Sequence, residues 1–163
     1  VGLFRGTPMV VQLLVFYYVL LPIIGVKMTG VQVSMMVFGL NSAAYISEIM
    51  RSGIMSVDAG QLEAGRAVGL SFSVSMIKIV IPQAIKNILP ALGNEMITLF
   101  KDTSLVSVIA LRDVTKQAQN IVSTTYQPYV PYISLAVIYL LGVIIMTKLL
   151  GIFERRLRES DRR

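Results

Sequence analysis

Three carboxylates lie where carboxylates are expensive. Glu48, Glu95 and Asp102 interrupt long apolar stretches, and an ionisable group at membrane depth faces a cavity or a partner helix rather than lipid. Helical spacing puts Ser34, Asn41, Tyr45 and Glu48 on one face of one stretch. It puts Glu95, Thr98 and Asp102 on one face of another, with Asn94 beside them; Ser42, Thr103 and Ser104 lie close to these stripes. Carboxylates and amide carbonyls accept hydrogen bonds from an ammonium, while amide N–H groups and hydroxyls donate to a carboxylate. The stripes therefore suit a polar solute inside the membrane, with Asn41, Ser42, Asn94, Glu95, Thr98 and Asp102 as candidate path residues. Glu95 comes first and Asn94 next, because Pro90 and Gly93 just before them are expected to bend or unwind the helix at a binding site. Each residue also has a plainer reading. Asn41 and Ser42 would bond across helices, Glu48 would pair with Arg51, and Lys101 and Asp102 would mark the outer interface.

Catalysis is poorly served by the same inventory. The chain has no His and no Cys, which removes thiol nucleophiles, disulfides, imidazole bases and zinc sites together. Paired carboxylates can do acid–base work, but Glu95 and Asp102 stand about 10 Å apart along a helix, and Glu63 lies in a polar loop. No Gly-x-x-x-x-Gly-Lys-Ser/Thr phosphate loop occurs, so the chain offers no motif of that type for cradling a nucleotide's phosphates. The protein is read as not itself an enzyme.

The elements that must carry these residues are membrane helices. Apolar residues make up 55% of the chain and charged ones 15%, against about 45–50% and 25% in soluble domains. A spanning helix needs about 20 largely apolar residues. Met9–Val26 and Val130–Ile152 satisfy this with few polar interruptions. Val31–Ile49 carries Gln32, Asn41 and Glu48, and Ile85–Leu111 carries Glu95, Lys101 and Asp102. With four spans, Arg5, Arg51, Arg66, Lys78, Lys86, Lys148, Arg155, Arg156, Arg158, Arg162 and Arg163 fall on one side. Only Lys27, Lys101, Arg112 and Lys116 fall on the other. This bias makes the loop 51–82 and the C-terminus cytoplasmic. Tyr126, Tyr129 and Tyr132 then sit in an outer aromatic belt. The basic tail reads as a topology anchor facing anionic lipid rather than a nucleic-acid patch. Residues 111–122 read as a short outer surface helix, either a solvated connector or a gate or seat for an external protein. The chain starts at Val1 with no signal-peptide pattern before its first apolar run, and is read as a piece of a longer polypeptide.

The loop itself has internal order. Ser56 or Asp58 can cap a helix, and Asp58 with Gln61 reads as a capping box. Gly69 falls where a helix ends in the left-handed conformation. Ser71 or Ser73 can start a second short helix, which Pro82 ends or kinks. Ala64 and Gly65 would leave backbone open to another protein, and Glu63 would offer it a carboxylate. A rigid knuckle of this kind can transmit rigid-body motion. Residues 64–80 also resemble a helix-turn-helix, but the second helix offers only Lys78 for phosphates or base edges. An ordinary connecting loop is the remaining alternative.

Glu63-Ala64-Gly65, then Gly69, then Ile79-Val80-Ile81-Pro82 resembles the cytoplasmic coupling loop of ABC-importer permeases. Its pattern is Glu-Ala-Ala, three residues, Gly, nine residues, Ile-x-Leu-Pro. Gly65 departs from Ala and Ile81 from Leu. The likeness continues through Leu3-Phe4-Arg5-Gly6-Thr7-Pro8, residues 40–49, residues 101–109 and Thr115-Lys116-Gln117-Ala118-Gln119. These segments resemble the polar amino-acid subfamily, which handles His, Gln, Glu, Arg, cystine and opines.

The resemblance implies an all-α polytopic helical bundle with four spans present where the family usually has five, so that the chain is expected to be N-terminally incomplete. It implies a single transmembrane domain over residues 1–163 with a two-helix coupling loop at 51–82. Asp58, Glu63, Ala64, Gly65 and Gly69 would couple to an ABC ATP-binding subunit, which binds ATP and Mg; this chain itself would hold no cofactor. A second permease subunit, an extracytoplasmic amino-acid-binding protein and membrane lipid are the other implied partners, with no nucleic acid. The location implied is the bacterial inner membrane. The rival reading is an ATP-independent channel or transporter, which would need no ATPase contact at residues 63–69.

Overall fold

The computed structural model describes residues 2–160, apart from the side chains of Leu3 and of residues 157–160. Arg162 and Arg163, and the side chain of Arg158, lie outside the described residues. Every regular element among the described residues is helical. A single turn, Gly2–Arg5, precedes the first apolar helix, Met9–Ile24. Three helices are long and apolar enough to cross a membrane: Gly30–Met55, Phe72–Ile109 and Tyr129–Arg156, the last continuing to Ser160. Met9–Ile24 is shorter, so the least interrupted sequence at this end yields the shortest apolar helix, while the two interrupted stretches yield long ones. Gly25, at φ +70°, stops that first helix before Val26.

The polar residues that seemed to weaken the second helix have separate employment. Thr29 N–H donates to Gln32 Oε1 at 2.9 Å, and Gln32 N–H donates to Thr29 Oγ1 at 3.3 Å. This reciprocal capping box satisfies two of the orphan donors at the helix start. Glu48 pairs with Arg51, whose Nε donates at 3.0 Å. Gln32 thus belongs to the start of this helix, and Glu48 to an ion pair within it.

Two prolines shape the helices in the same way. Phe16–Leu20 and Met76–Val80 are π-helical, and Pro22 and Pro82 follow each segment by two residues. Proline lacks an N–H, and its ring clashes with the carbonyl four residues back. Widening the preceding turn relieves that clash. Pro82 therefore does not end a short second loop helix. The helix that begins at Phe72 passes through the π segment and continues to Asp102, then tightens to a 3-10 helix over Thr103–Ile109. Pro90 and Gly93 do not unwind it either: Ile81–Asp102 is one α-helix.

The chain forms two packing units. One joins residues up to Ala44 with Met96–Lys148; the other joins Tyr45–Glu95 with the chain from Leu149 onward. In the first unit, Leu13, Leu21, Val33, Val37 and Ile109 form a buried core flanked by Phe16, Met28, Phe38 and Leu105. The second unit closes around small residues. A Cβ placed on Gly53 would lie 2.2 Å from Ile88 Cγ1, and one on Gly93 would lie 2.2 Å from Leu150 Cδ1. Small residues allow this close approach between apolar helices. Gly93 is thus a packing position rather than a weak point in its helix.

Candidate functional site

The elbow after the second helix is closed by local chemistry at both ends. Asp58 caps the helix Ala59–Ala67: its Oδ1 accepts from Gly60 N–H at 2.6 Å. The Gln61 side chain does not reach back to complete a capping box; it accepts from Gln83 Nε2 at 3.3 Å. At the other end Gly69 adopts φ +88°. Gly69 N–H donates to Arg66 O at 3.0 Å and Leu70 N–H to Gly65 O at 3.2 Å, the paired bonds of a Schellman ending. Ser71 then caps the third apolar helix through Val74 N–H at 3.4 Å. Because that helix continues for 38 residues, the helix-turn-helix reading loses its separate second helix.

Glu63, Ala64 and Gly69 are exposed, and Asp58 stands on the surface as the cap. Gly65 is buried. A Cβ there would lie 2.7 Å from Ile79 Cδ1 and 2.9 Å from Ser75 Oγ. The expectation that Gly65 leaves backbone open to a partner is therefore corrected: it faces inward because positions 63 and 65 are about 200° apart around a helix. Ser75 is wholly buried and its Oγ has no hydrogen-bond partner, which costs about 1–3 kcal/mol.

The elbow is tied to the third helix by residues that the sequence reading passed over. Asn87 Nδ2 donates to Ser56 Oγ at 2.8 Å, Ser56 Oγ donates to Gly53 O at 2.7 Å, and Gln83 Nε2 also donates to Ile79 O at 2.9 Å. Gln83 and Asn87, four residues apart just past Pro82, form a polar stripe on an otherwise apolar helix; that spacing is the signal that could have found them.

The candidate path residues divide between the two units. Asn41 and Ser42 are buried in the first. Asn41 Nδ2 donates to Phe4 O at 3.1 Å and to Gln12 Oε1 at 3.2 Å. Gln12 Nε2 donates to Phe4 O at 2.8 Å, Thr7 O at 3.0 Å and Thr7 Oγ1 at 2.8 Å. The Asn41 amide thus belongs to a knot holding the amino-terminal segment, as its plainer reading has it. Gln12, one polar residue in an apolar run, organises that knot. Ser42 Oγ is buried without a hydrogen-bond partner. Asn94 and Glu95 lie in the second unit, Asn94 exposed and Glu95 half-buried; Thr98 and Asp102 follow on the same helix within the first. On the helix Val114–Thr125, Asp113 Oδ1 caps by accepting from Lys116 N–H at 2.8 Å.

Long apolar helices with a capped polar elbow between the second and third define a polytopic helical membrane protein. The profile of the binding-protein-dependent transport system inner membrane components matches residues 1–159. The chain belongs to that family. It is 41% identical over 160 residues to the arginine transport system permease protein ArtQ of Bacillus subtilis, covering 98% of this chain and 73% of that one. It is 39% identical over 156 residues to the putative glutamine transport system permease protein GlnP of Rickettsia bellii, covering 96% and 72%. Among solved structures, the crystal structure of an amino acid ABC transporter with histidines superposes with a TM-score of 0.88 at 46% identity, covering 94% of this chain and 72% of that one.

Proposed function

We propose that this chain is the permease subunit of an ATP-driven importer for a polar amino acid, working as one transmembrane domain with its coupling loop at residues 51–82. The observation that carries the reading is the elbow: a helix capped at Asp58, closed at Gly69 and exposing Glu63 and Ala64, inside a chain similar nearly end to end to permeases named for arginine and glutamine. A separate ABC subunit binds ATP and Mg and seats on Asp58, Glu63, Ala64 and the Gly69 turn. A second permease copy or relative completes the path, and an extracytoplasmic protein delivers the amino acid. The elbow and the C-terminus are cytoplasmic, with residues 117–129 outside, as the basic bias requires. Within the path, Glu95 accepts from the substrate ammonium, with Asn94, Thr98, Asp102 and Ser42 nearby in sequence or on the stripes; Asn41 supports the wall.

The test is made in the assembled importer. Glu63→Lys leaves the subunit in the membrane, loosens the ATP-binding subunit and abolishes substrate-stimulated ATPase activity; unchanged stimulation refutes the coupling assignment. Glu95→Gln lowers uptake while basal ATPase activity persists, and normal uptake at limiting substrate removes Glu95 from the path. The chain has no native Cys, so Thr124→Cys and Ser73→Cys report sidedness cleanly. An impermeant maleimide outside reaches position 124 and misses position 73; the reverse overturns the orientation.

A further inference from the structure

We propose that Gln83 is a positioning residue for the coupling elbow: its side-chain amide latches the elbow helix, through Gln61, to the weakened turn of the third apolar helix beside Pro82. This rests on the coupling role proposed above. Ile81 N–H donates to Met76 O, five residues back, and Pro82 has no N–H to give, so this turn is both wide and one donor short. Gln83 Nε2 donates to Ile79 O at 2.9 Å within that turn and to Gln61 Oε1 at 3.3 Å on the elbow. One amide therefore joins the two. Gln61 belongs to the same helix as Glu63, Ala59–Ala67. One turn past Gln83, Asn87 Nδ2 donates to Ser56 Oγ at 2.8 Å, and Ser56 Oγ donates to Gly53 O at 2.7 Å, which ties the third helix to the end of the second as well. The proline alone does not call for such an amide. The first apolar helix carries the same construction: Leu21 N–H donates to Phe16 O, and Pro22 follows. There the residue after the proline is Ile23, 75% exposed, whose side chain has no donor. Gln83 thus answers the elbow and not the proline. A turn with an interrupted backbone ladder is where a helix bends, and Gln83 fixes the elbow to that turn. A displacement imposed on Glu63 by a partner is then handed to the third helix rather than taken up by the elbow moving alone.

The experiment uses the full-length permease with its ATP-binding and extracytoplasmic binding subunits in proteoliposomes, with radiolabelled arginine and glutamine as probes. The readouts are ATP hydrolysed per amino acid taken up and the thermal midpoint of the assembled complex. Gln83→Met keeps the length of the side chain and removes its donor. Gln61→Met removes only the elbow's half of the bond and leaves Gln83 with Ile79 O. Each raises the ATP hydrolysed per uptake by about threefold, and the two together do no more than either one, because they act through one bond. Gln61→Glu, which keeps an acceptor for Gln83 Nε2, stays near the parent ratio. The proposal is overturned if Gln83→Met raises the ratio while Gln61→Met leaves it unchanged, which would confine Gln83 to its own helix. It is equally overturned if the two rises multiply, which would set Gln61 against the ATP-binding subunit, or if both variants lower the midpoint with an unchanged ratio. Where Gln83→Met does not accumulate in the membrane, the exposed position 61 decides the matter: equal ratios for Gln61→Met and Gln61→Glu overturn the proposal. Glu63→Lys is the separate control: unchanged coupling in that variant refutes the coupling role and leaves the latch as a packing feature.

Discussion

The knot around Gln12 and the notch around Gly65 solve one problem by opposite means. Each fastens a short segment to a long helix. In the knot, Gln12 Nε2 reaches Phe4 O, Thr7 O and Thr7 Oγ1, and Asn41 Nδ2 reaches Phe4 O and Gln12 Oε1. Direction holds it. In the notch, Gly65 meets Ser75 and Ile79 with no hydrogen bond from the Ser75 hydroxyl. Shape holds it, as it holds Gly53 against Ile88 and Gly93 against Leu150 in the same unit. Among apolar helices in lipid, burial supplies little net attraction, and association depends on polar bonds or on small residues that permit close approach. The two solutions fail differently. A knot fails when a partner is deleted, because a buried polar group is orphaned. A notch fails when volume is added.

The sharpest test of that contrast is Gly93→Val, for which the added Cβ meets Leu150 Cδ1 at 2.2 Å and Cγ at 2.8 Å. Overpacking of this kind costs about 3 kcal/mol, read as a lowered unfolding midpoint in detergent, and Leu150→Ala should recover most of it. Next comes Gly69→Val. Nothing stands within 4 Å of a Cβ there, yet the φ of +88° is wrong for a β-branched residue, at a cost of about 2 kcal/mol. Gly69→Asn, which tolerates that region, should be nearly neutral; equal damage from both would show that side-chain volume, not backbone strain, matters at the turn. Gln12→Leu follows at about 1.5 kcal/mol, near the upper end for bonds between membrane helices. Asn41→Leu added to it should cost less than the sum of the single changes. Should Gln12→Leu prove more damaging than Gly93→Val, the contrast is drawn the wrong way round. The smallest effect is expected from Glu48→Gln. Arg51 is 58% exposed in that pair, so solvent screening leaves its loss with no measurable shift of the unfolding midpoint.

Much of the elbow was legible because its signals are local. Asp58 as cap, Gly69 at positive φ and Ser71 starting the next helix depend on residues within a turn of one another. The capping box was nevertheless assigned to the wrong place. Asp58 and Gln61 carry its pattern, but Gln61 is taken by Gln83, twenty-two residues away. Thr29 and Gln32 form a true one, where Gln32 seemed only to dilute an apolar stretch. The candidate path was less legible. Helical spacing could place Asn41 on a stripe with Glu48, but not assign its amide to Phe4, thirty-seven residues away. The pairing of Glu48 with Arg51 was legible, because it is made within one helical turn.

Sequence by itself determined that this chain is a helical membrane protein, that it has four apolar stretches and where the elbow closes. Those properties follow from composition, run length and bonds made within a few residues, which any stretch of chain carries with it. Tertiary structure decided the direction in which each small or polar residue faces. Gly65 and Gly69 are the same residue four positions apart; one answers a backbone torsion visible in its own turn, the other a buried serine ten residues on. The identity of a residue states what it can tolerate, and only the neighbour brought against it by folding determines which tolerance is used.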